Sequence, residues 1–564
     1  MTLLASTSSI LSRRSSRMLL CVAVILLALA PVQAEKITIC EEGCSYANIT
    51  AGIAAANPGD IIEVHSGTYR ENINVTKQIS LQGIDTGKGR PVVDAGKKGN
   101  AIILSVDGIV VDGFEVRNAI GNIWTVATGI KFAGIKVSSN DNIISDNLAI
   151  NNENGIFLAD FDNNTLSNNN ATGNDNGISL ERANNNTINA SYISGNDYGL
   201  RITSSANNAL DGNHITDNNY GIFLESSEGN TLTKNLMYGN SYNFGAGGIN
   251  NVSTNNLVDN KPVYYLVNAQ GNVIDPSTNA GTVYCIDCTN VTIKDLTLEN
   301  NLNGIFLSNT TNSKLENNSL SNNSCGISLI SSPKNVIRNN EIENNLIDGL
   351  TLDSSYNNTI ENNTALQNRH YGMSIWYSIG NIVIENNISM NNNGLCINYS
   401  SDNLISKDTL CFNKNNGLLL RNSSSNNISF NSLNNNSKGA WLIFSNMNDI
   451  ASNSISGNID GIRPEFSKNN TISGNKIYEN VYGTLFDIKF TNLIRDNKME
   501  NNTKNNEQIV SSTTARAPGV HSSKTKQDST TKKAPGLHPS NTMQTSTVAK
   551  APTVQRSSSG SSQH

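Results

Sequence analysis

The chain has 564 residues, only 15% of them charged, and a net charge of −6 that is unevenly distributed. From Ser511 to His564, seven basic residues face the single acid Asp528, so the rest of the chain carries about −12. An acidic body without basic stripes argues against nucleic acid as a partner.

The N-terminus has the order of a secretory signal. Three arginines between Arg13 and Arg17 precede the apolar run 18–30, and small residues ending at Ala34 follow as a cleavage site. The apolar run has 13 residues, too few to cross a bilayer comfortably as a helix. We therefore predict a signal peptide over 1–34, with an uncleaved anchor as the alternative. The mature chain is then secreted or displayed at the cell surface, without a transmembrane segment.

Two features open the mature chain. Cys40 and Cys44 enclose a Glu-Glu-Gly turn, and in an exported protein this pair is predicted to form a local disulfide. The Ala-rich stretch 46–56 is typical of one amphipathic helix, placed here as a cap over the exposed first coil. Short, irregular apolar runs follow it, so 35–134 is predicted to hold the cap and irregular opening coils.

The body is defined by an internal repeat. A Gly followed by an apolar residue recurs every 22 or 23 residues from Gly155 to Gly221 and from Gly304 to Gly483. With Gly as position zero, Asn falls at +9, +14 and +19 and apolar residues at +11 and +16, as after Gly461. Alternation along a strand places +1 and +3 inside and +2 and +4 outside. Stacked coils would align like Asn residues in amide ladders.

This repeat pattern predicts an all-β, right-handed parallel β-helix. Left-handed hexapeptide helices, pentapeptide repeats and leucine-rich repeats each require a different period or return segment. Regular coils are expected over 135–240 (the first block) and 304–505 (the second block), with irregular insert coils over 241–303. The Ser/Thr/Lys/Pro-rich segment 506–564 has little apolar surface to bury, so it is predicted to be a disordered tail.

Within the ladders, Ser191, Ser313 and Asp408 replace Asn in otherwise matching units. Asn453 and Asn475 share position +14 in adjacent coils, so we expect their side chains to bond each other. Asn-x-Ser/Thr sequons recur throughout the body, and glycosylation is an expectation if the host has the machinery.

The opening block, from Ile37 through Asn57-Pro-Gly-Asp60 to Gly67-Thr-Tyr69, resembles the NosD-like β-helix proteins. So do the repeated coils and the insert Asp259-Asn-Lys-Pro262-Val-Tyr-Tyr-Leu. The resemblance covers about 36–505 and implies an archaeal-type surface protein of the wider carbohydrate-binding and sugar-hydrolase β-helix class. Founding members assist copper-centre assembly in nitrous oxide reductase, but no ligand motif of theirs can be matched here.

A metal site is not predicted. His65, His214 and His370 are widely separated, and a soft-metal site needs convergent Cys, Met or His donors. No cofactor is expected either. The state of the remaining cysteines stays open, including the CxxC pair, which a redox or zinc role would favour only with a second pair nearby. They are Cys285, Cys288, Cys325, Cys396 and Cys411.

The outward positions of the Gly-led strands are predicted to form one continuous face that carries acids, arginines and aromatic rings. Its members are Glu181, Arg201, Phe223 and Glu225 in the first block, and Asp353, Trp376, Trp441, Arg463 and Glu465 in the second. Such groups suit glycan binding, and paired carboxylates also suit glycosidic hydrolysis. Outward positions of any sheet are polar, however, so a purely structural face is the competing interpretation.

Three hypotheses follow. The first is a secreted or cell-surface, monomeric structural or binding protein, with polysaccharide or cell-envelope glycans as candidate ligands. The second is a polysaccharide lyase, epimerase or hydrolase, although the Asp-Pro-His, Gly-His-Gly and clustered-Asp signatures of such enzymes are missing. The third is a copper-accessory protein. Convergent acids with a raised pKa in a groove would favour an enzyme, and a flat Asn/Ser/Thr face would favour a structural role.

Overall fold

The computed structural model describes residues 34–121 and 129–509. The predicted signal peptide and nearly all of the predicted tail lie outside these ranges. Within them, the chain winds as a parallel β-solenoid, and the predicted parallel β-helix class is confirmed. No helix in the described part is long and apolar enough to cross a membrane.

Most regular coils have a six-residue leading strand around the repeat Gly, then two three-residue strands. Strands of neighbouring coils pair in parallel one repeat apart, as in Ile178 with Leu200 and Leu329 with Leu352. Leading strands lie at Ala133–Val137, Asn154–Ala159, Asn176–Glu181, Tyr198–Thr203, Tyr220–Glu225, Tyr242–Ala246, Asn303–Ser308, Cys325–Ile330, Leu350–Asp353, Tyr371–Trp376, Asn393–Asn398, Asn416–Arg421, Lys438–Ile443, Asp460–Glu465, Tyr482–Asp487 and Lys504–Ile509.

The two shorter strands of each coil form the other walls. Second strands lie at Ile143–Ser145, Thr165–Ser167, Thr187–Asn189, Ala209–Asp211, Thr231–Thr233, Thr292–Lys294, Lys314–Glu316, Val336–Arg338, Thr359–Glu361, Ile382–Ile384, Leu404–Ser406, Asn427–Ser429, Asp449–Ala451, Thr471–Ser473 and Leu493–Arg495. Third strands lie at Leu148–Ile150, Asn170–Thr172, Tyr192–Ser194, His214–Thr216, Leu236–Tyr238, Thr297–Glu299, Ser319–Ser321, Glu341–Glu343, Thr364–Leu366, Asn387–Ser389, Ser432–Asn434, Ser454–Ser456, Lys476–Tyr478 and Lys498–Glu500.

Opening and insert strands are shorter or less regular. They lie at Lys36–Ile39, Ile61–His65, Thr68–Tyr69, Ile73–Val75, Ser80–Ile84, Val92–Asp94, Ile102–Leu104, Val110–Asp112 and Glu115–Arg117, and at Asn251–Val252, Leu257–Val258, Lys261–Val267, Val273–Ile274 and Thr282–Ile286. A 3₁₀ turn occupies Pro276–Thr278.

Asn ladders join the coils at their corners. The backbone N–H and the Nδ2 of Asn453 both donate to Oδ1 of Asn475, at 2.9 and 3.0 Å. Nδ2 of Asn475 in turn donates to the carbonyl of Ile450 at 2.8 Å and to Oδ1 of Asn497 at 2.9 Å. The expected Asn453–Asn475 bond is therefore present. Asn475 is fully buried rather than partly exposed, because the amide points into the coil to reach backbone of the preceding turn.

Position zero of the repeat requires Gly because the backbones of neighbouring coils approach each other closely there. A Cβ on Gly461 would lie 2.4 Å from the carbonyl oxygen of Gly483 in the next coil. Real Cβ atoms do not come that near a backbone atom, so any side chain here would push the coils apart.

The one α-helix of the described ranges is shorter than the predicted 46–56 and runs over Ile49–Ala55. It begins there because Oδ1 of Asn48 accepts a hydrogen bond from the N–H of Ala51, at 2.8 Å, as an N-cap. Ile49 and Ile53 are buried, so the helix covers apolar surface at the start of the solenoid. The sulfur atoms of Cys40 and Cys44 lie at bonding distance, 2.01 Å apart.

The insert separates the two blocks. Leu257–Val258 and Lys261–Val267 form an antiparallel hairpin, after which parallel stacking resumes with Thr282–Ile286. Outward rings of these new strands pack against the first block: Tyr284 lies 5.3 Å from Phe244, measured between ring centroids. The leading strands of the two blocks consequently belong to different sheets. The predicted single continuous outward face is wrong, because outward side chains of the strands at the junction, such as Tyr284, are buried between the two blocks.

Candidate functional site

The outward face of the second-block leading sheet brings together five of the predicted residues. Strand register places +4 residues in one column and +2 residues in a parallel column. The +4 column is Asp353, Trp376, Asn398, Arg421, Ile443 and Glu465, and the +2 column is Thr351, Ser374, Cys396, Leu419, Trp441 and Arg463. We call these two columns the second-block face.

One end of the second-block face is held by a charged cluster. The indole N–H of Trp441 donates to Glu465 at 3.1 Å. The guanidinium of Arg463 pairs with Glu465 at 3.3 Å and with Asp460 at 3.1 Å. These contacts fix the indole in orientation while it stays on the outer side of the sheet.

Trp376 lies at the other end. Three coils separate it from Trp441, which corresponds to about 14 Å along the solenoid axis. Between the two indoles lie Asn398, whose buried side-chain oxygen has no hydrogen-bond partner, and the exposed Arg421.

The first-block residues lie on a different sheet and are largely paired with one another. Arg201 lies 4.9 Å from the ring centre of Tyr198 and 3.7 Å from Glu225. Glu181 forms an ion pair with Lys131. Phe223 packs near Tyr198, at 5.7 Å between ring centroids. With its charges mutually satisfied, this patch offers fewer free groups than the second-block face.

Sequence analysis missed a column of aromatic side chains at the bend that follows each leading strand. Tyr377, Tyr399, Phe444 and Phe466 occupy position +5, all with left-handed φ angles between 48° and 51°. Such angles are unusual for bulky residues and favour Asn or Gly. Tyr377 and Tyr399 are 52% and 37% exposed. The sequence does contain a signal for this column, because position +5 is a small residue in other coils and a ring in these. The small residues are Ser204, Ser226, Ser331 and Ser354.

A second group missed from the sequence surrounds Asp348, just before a leading strand. One carboxylate oxygen accepts from Nδ1 of His370 at 3.0 Å and from the N–H of Tyr371 at 3.1 Å. The other accepts from the hydroxyls of Ser374 and Thr351, at 2.9 and 3.2 Å. The contact with Asp348 fixes the orientation of the His370 ring. Asp348 and His370 lie 22 residues apart and outside the strands, so no local sequence motif indicates that they pair.

Burial makes Cys325 and Cys396 poor candidates for chemistry. Burial raises the pKa of Cys325 and of Cys396 to about 12 in each case, which keeps both protonated. Cys285 and Cys288 are buried and unbridged; the hydrogen bond between them lowers the pKa of Cys288 to about 7 and raises that of Cys285. The other closely spaced cysteine pair of the described ranges, Cys40 and Cys44, is joined in the disulfide.

The coil geometry and outward faces define a member of the parallel β-helix class. A family model described as "Periplasmic copper-binding protein (NosD)" matches residues 62–256, 249–416 and 374–532. The chain belongs to the NosD family. No match was found among curated proteins.

Solved structures similar to this chain include three polysaccharide-acting enzymes. The Azotobacter vinelandii mannuronan C-5 epimerase AlgE6 A-module is 12% identical, with 82% of this chain and 91% of that chain covered and a TM-score of 0.33. The periplasmic alginate epimerase AlgG is 12% identical over 70% and 84%, with a TM-score of 0.31. Pectate lyase Pel9A is 13% identical over 54% and 79%, with a TM-score of 0.32.

The family description implies copper, and the donor groups can be tested against it. Among the described residues, Cys40, Cys44 and His65 form the only group of three His, Cys, Asp or Glu side chains close enough to share an ion. Both sulfurs are joined in the disulfide, and a disulfide sulfur is not the thiolate that a soft metal requires. In this oxidised state the group does not fit copper.

Proposed function

We propose that this protein is exported and binds extended glycans along the second-block face. The observation that carries the proposal is the placement of Trp376 and Trp441 on one outward face. Arg421, which has no ion-pair partner among the described residues, lies between them. Indole rings stack on the apolar faces of sugars, and Arg and Asn side chains bond hydroxyls or carboxylates. The proposed localisation rests on the sequence of residues 1–34 and on the family's periplasmic description.

The spacing of the two indoles supports a chain rather than a single sugar. About 14 Å along the axis spans roughly three coils. A glycan lying along the axis would pass over Trp376, then Arg421, then Trp441 and Glu465.

Replacing Trp376 and Trp441 with Ala should weaken binding to the best glycan on an array of polysaccharides and oligosaccharides by at least about tenfold, because two stacking platforms are lost. The full exported chain would be used, with affinities measured by calorimetry. Tyr192→Ala, which removes an exposed aromatic ring from another sheet of the first block, is the control and should bind as the native protein does. Equal affinity of native and double-variant proteins would contradict the proposal.

A second candidate function is enzymatic modification of a polysaccharide, favoured by the Asp348–His370 pair. The carboxylate holds Nδ1 of His370, so Nε2 is placed to accept a proton from a bound sugar. Release of reducing ends or of unsaturated products from polysaccharides by the native protein, absent in His370→Ala, would support this activity. The absence of any turnover by the native protein would leave binding as the function.

A further inference from the structure

The column of aromatic bends has one gap. Backbone hydrogen bonds link Tyr377 to Asn398, Tyr399 to Arg421, and Asn422 to Ile443, so position +5 is stacked coil upon coil. Between Tyr377 and Phe466, the column runs Tyr377, Tyr399, Asn422, Phe444 and Phe466. Asn422 is the only residue of this stretch without a ring.

The two rings on each side of the gap stack on each other. Tyr377 and Tyr399 are 5.2 Å apart and nearly parallel, at 7°. Phe444 and Phe466 are 5.1 Å apart, at 13°. Two coil spacings then separate Tyr399 from Phe444, about 10 Å, which equals two ring-stacking distances of roughly 5 Å each. The gap is therefore wide enough for one further ring between Tyr399 and Phe444.

The floor and the side of this gap are polar. Asn422 is partly buried at the base of the gap, and its Nδ2 is buried without a hydrogen-bond partner among the described residues. Arg421, the adjacent outward residue, is exposed and has no ion-pair partner within the described ranges. Arginine binds carboxylates through two parallel N–H bonds, which a neutral hydroxyl cannot accept with equal strength.

We infer that the gap between Tyr399 and Phe444, floored by Asn422 and flanked by Arg421, is a subsite for one acidic pyranose ring. The two aromatic faces sandwich the sugar, and Arg421 holds the carboxylate. Because the stacked rings succeed one another along the axis, a sandwiched sugar lies across it, and its chain extends away from the protein. The subsite therefore takes a chain end or a branch, whereas the second-block face takes the backbone of a glycan. This inference rests on the proposed function.

The test uses the full chain and small probes: the methyl glycosides of galacturonate and glucuronate, with the matched neutral galactoside and glucoside. Binding is measured by ligand-observed NMR titration. At least one acidic glycoside should bind more tightly than its neutral counterpart. Arg421→Gln should abolish that preference while neutral binding persists.

Two variants address the gap itself. Phe444→Ala removes one wall, and Asn422→Phe fills the space with the residue type found in neighbouring coils; each should lower acidic-glycoside affinity roughly tenfold. Phe466→Ala, the same change one coil further on and not facing the gap, should alter affinity by less than about twofold.

The outcomes separate the subsite from the proposed function. Unchanged affinity in both Phe444→Ala and Asn422→Phe, or no binding of either acidic glycoside, would overturn the subsite. If the native chain then still binds polysaccharide through Trp376 and Trp441, the proposed function stands alone. Loss of polysaccharide binding by the native chain as well would overturn both.

Discussion

Replacing Asn475 with Leu is expected to lower the free energy of unfolding by about 2–6 kcal/mol, because two buried donors lose their acceptor at about 1–3 kcal/mol each. Those donors are the backbone N–H and Nδ2 of Asn453, both bonded to Oδ1 of Asn475. The carbonyl of Ile450 also loses its donor from Asn475. Chemical denaturation gives the free energy, and hydrogen exchange at the Asn453 amide would localise the loss.

Two companion variants make the measurement specific. The free energy of unfolding of Asn475→Ser should lie between those of the native protein and Asn475→Leu. Ser191 shows why: it occupies a ladder position, and its hydroxyl still accepts from the N–H of Asn169, at 3.3 Å. Lys476→Ala removes only an exposed cation lying 4.4 Å from the ring centre of Tyr478, which is worth about 1 kcal/mol or less. Equally mild effects of Asn475→Leu and Lys476→Ala would show that the ladder does not stabilise the coils.

The second large effect concerns Asp408, the one carboxyl in the Asn ladder at position +14. Its Oδ1 accepts from the N–H and Nδ2 of Asn386, at 2.8 and 2.9 Å, as an Asn would. Its Oδ2 stands where neighbouring Asn residues carry their donor, and it is buried without a partner. Burial raises the pKa of Asp408 to about 7 despite the hydrogen bonds from Asn386. The carboxyl is therefore largely protonated below neutral pH.

The sign of the pH dependence follows from this raised pKa. An unfolded Asp titrates near 3.9, so the folded state binds the extra proton between about pH 4 and pH 7. Stability from this group is complete below pH 4 and is lost as pH rises through 7. Asp408→Asn should therefore leave stability nearly unchanged at pH 4 and raise it at pH 8 by on the order of 4 kcal/mol.

Charged groups near Asp408 are few. Glu385, in the preceding coil, adds to the rise of its pKa, and Glu385 itself pairs with Lys407 at 3.0 Å. Asp402→Asn, which changes an exposed carboxylate six residues earlier, is the control and should not reproduce the gain in stability at pH 8. If Asp408→Asn gave the same shift at pH 4 and pH 8, Asp408 would have to be ionised in the folded protein.

The coil architecture could be predicted because it is local and periodic. A single repeat fixes which residues of a strand face inward, and stacking forces like positions together, so Asn453 and Asn475 meet without any tertiary information. The helix was overextended by three residues at its start and one at its end, since the Asn48 cap competes with the Ala-rich pattern. The candidate sites were harder to predict than the fold. The sequence pattern placed Trp376 and Arg463 on an outward face, but it did not indicate Tyr399, Phe444 or the Asp348–His370 pair.

By itself, the sequence determined the period, the parallel stacking, the inward residues and the Asn ladders, because each depends on spacing along one chain. Only the tertiary structure decided that the insert breaks the leading sheet in two, since the packing of Tyr284 against Phe244 joins residues of non-equivalent coils. It also decided which outward groups are free. Arg201 is held by Glu225 and Tyr198, whereas Arg421 is not so held, and that difference depends on side-chain reach across neighbouring coils.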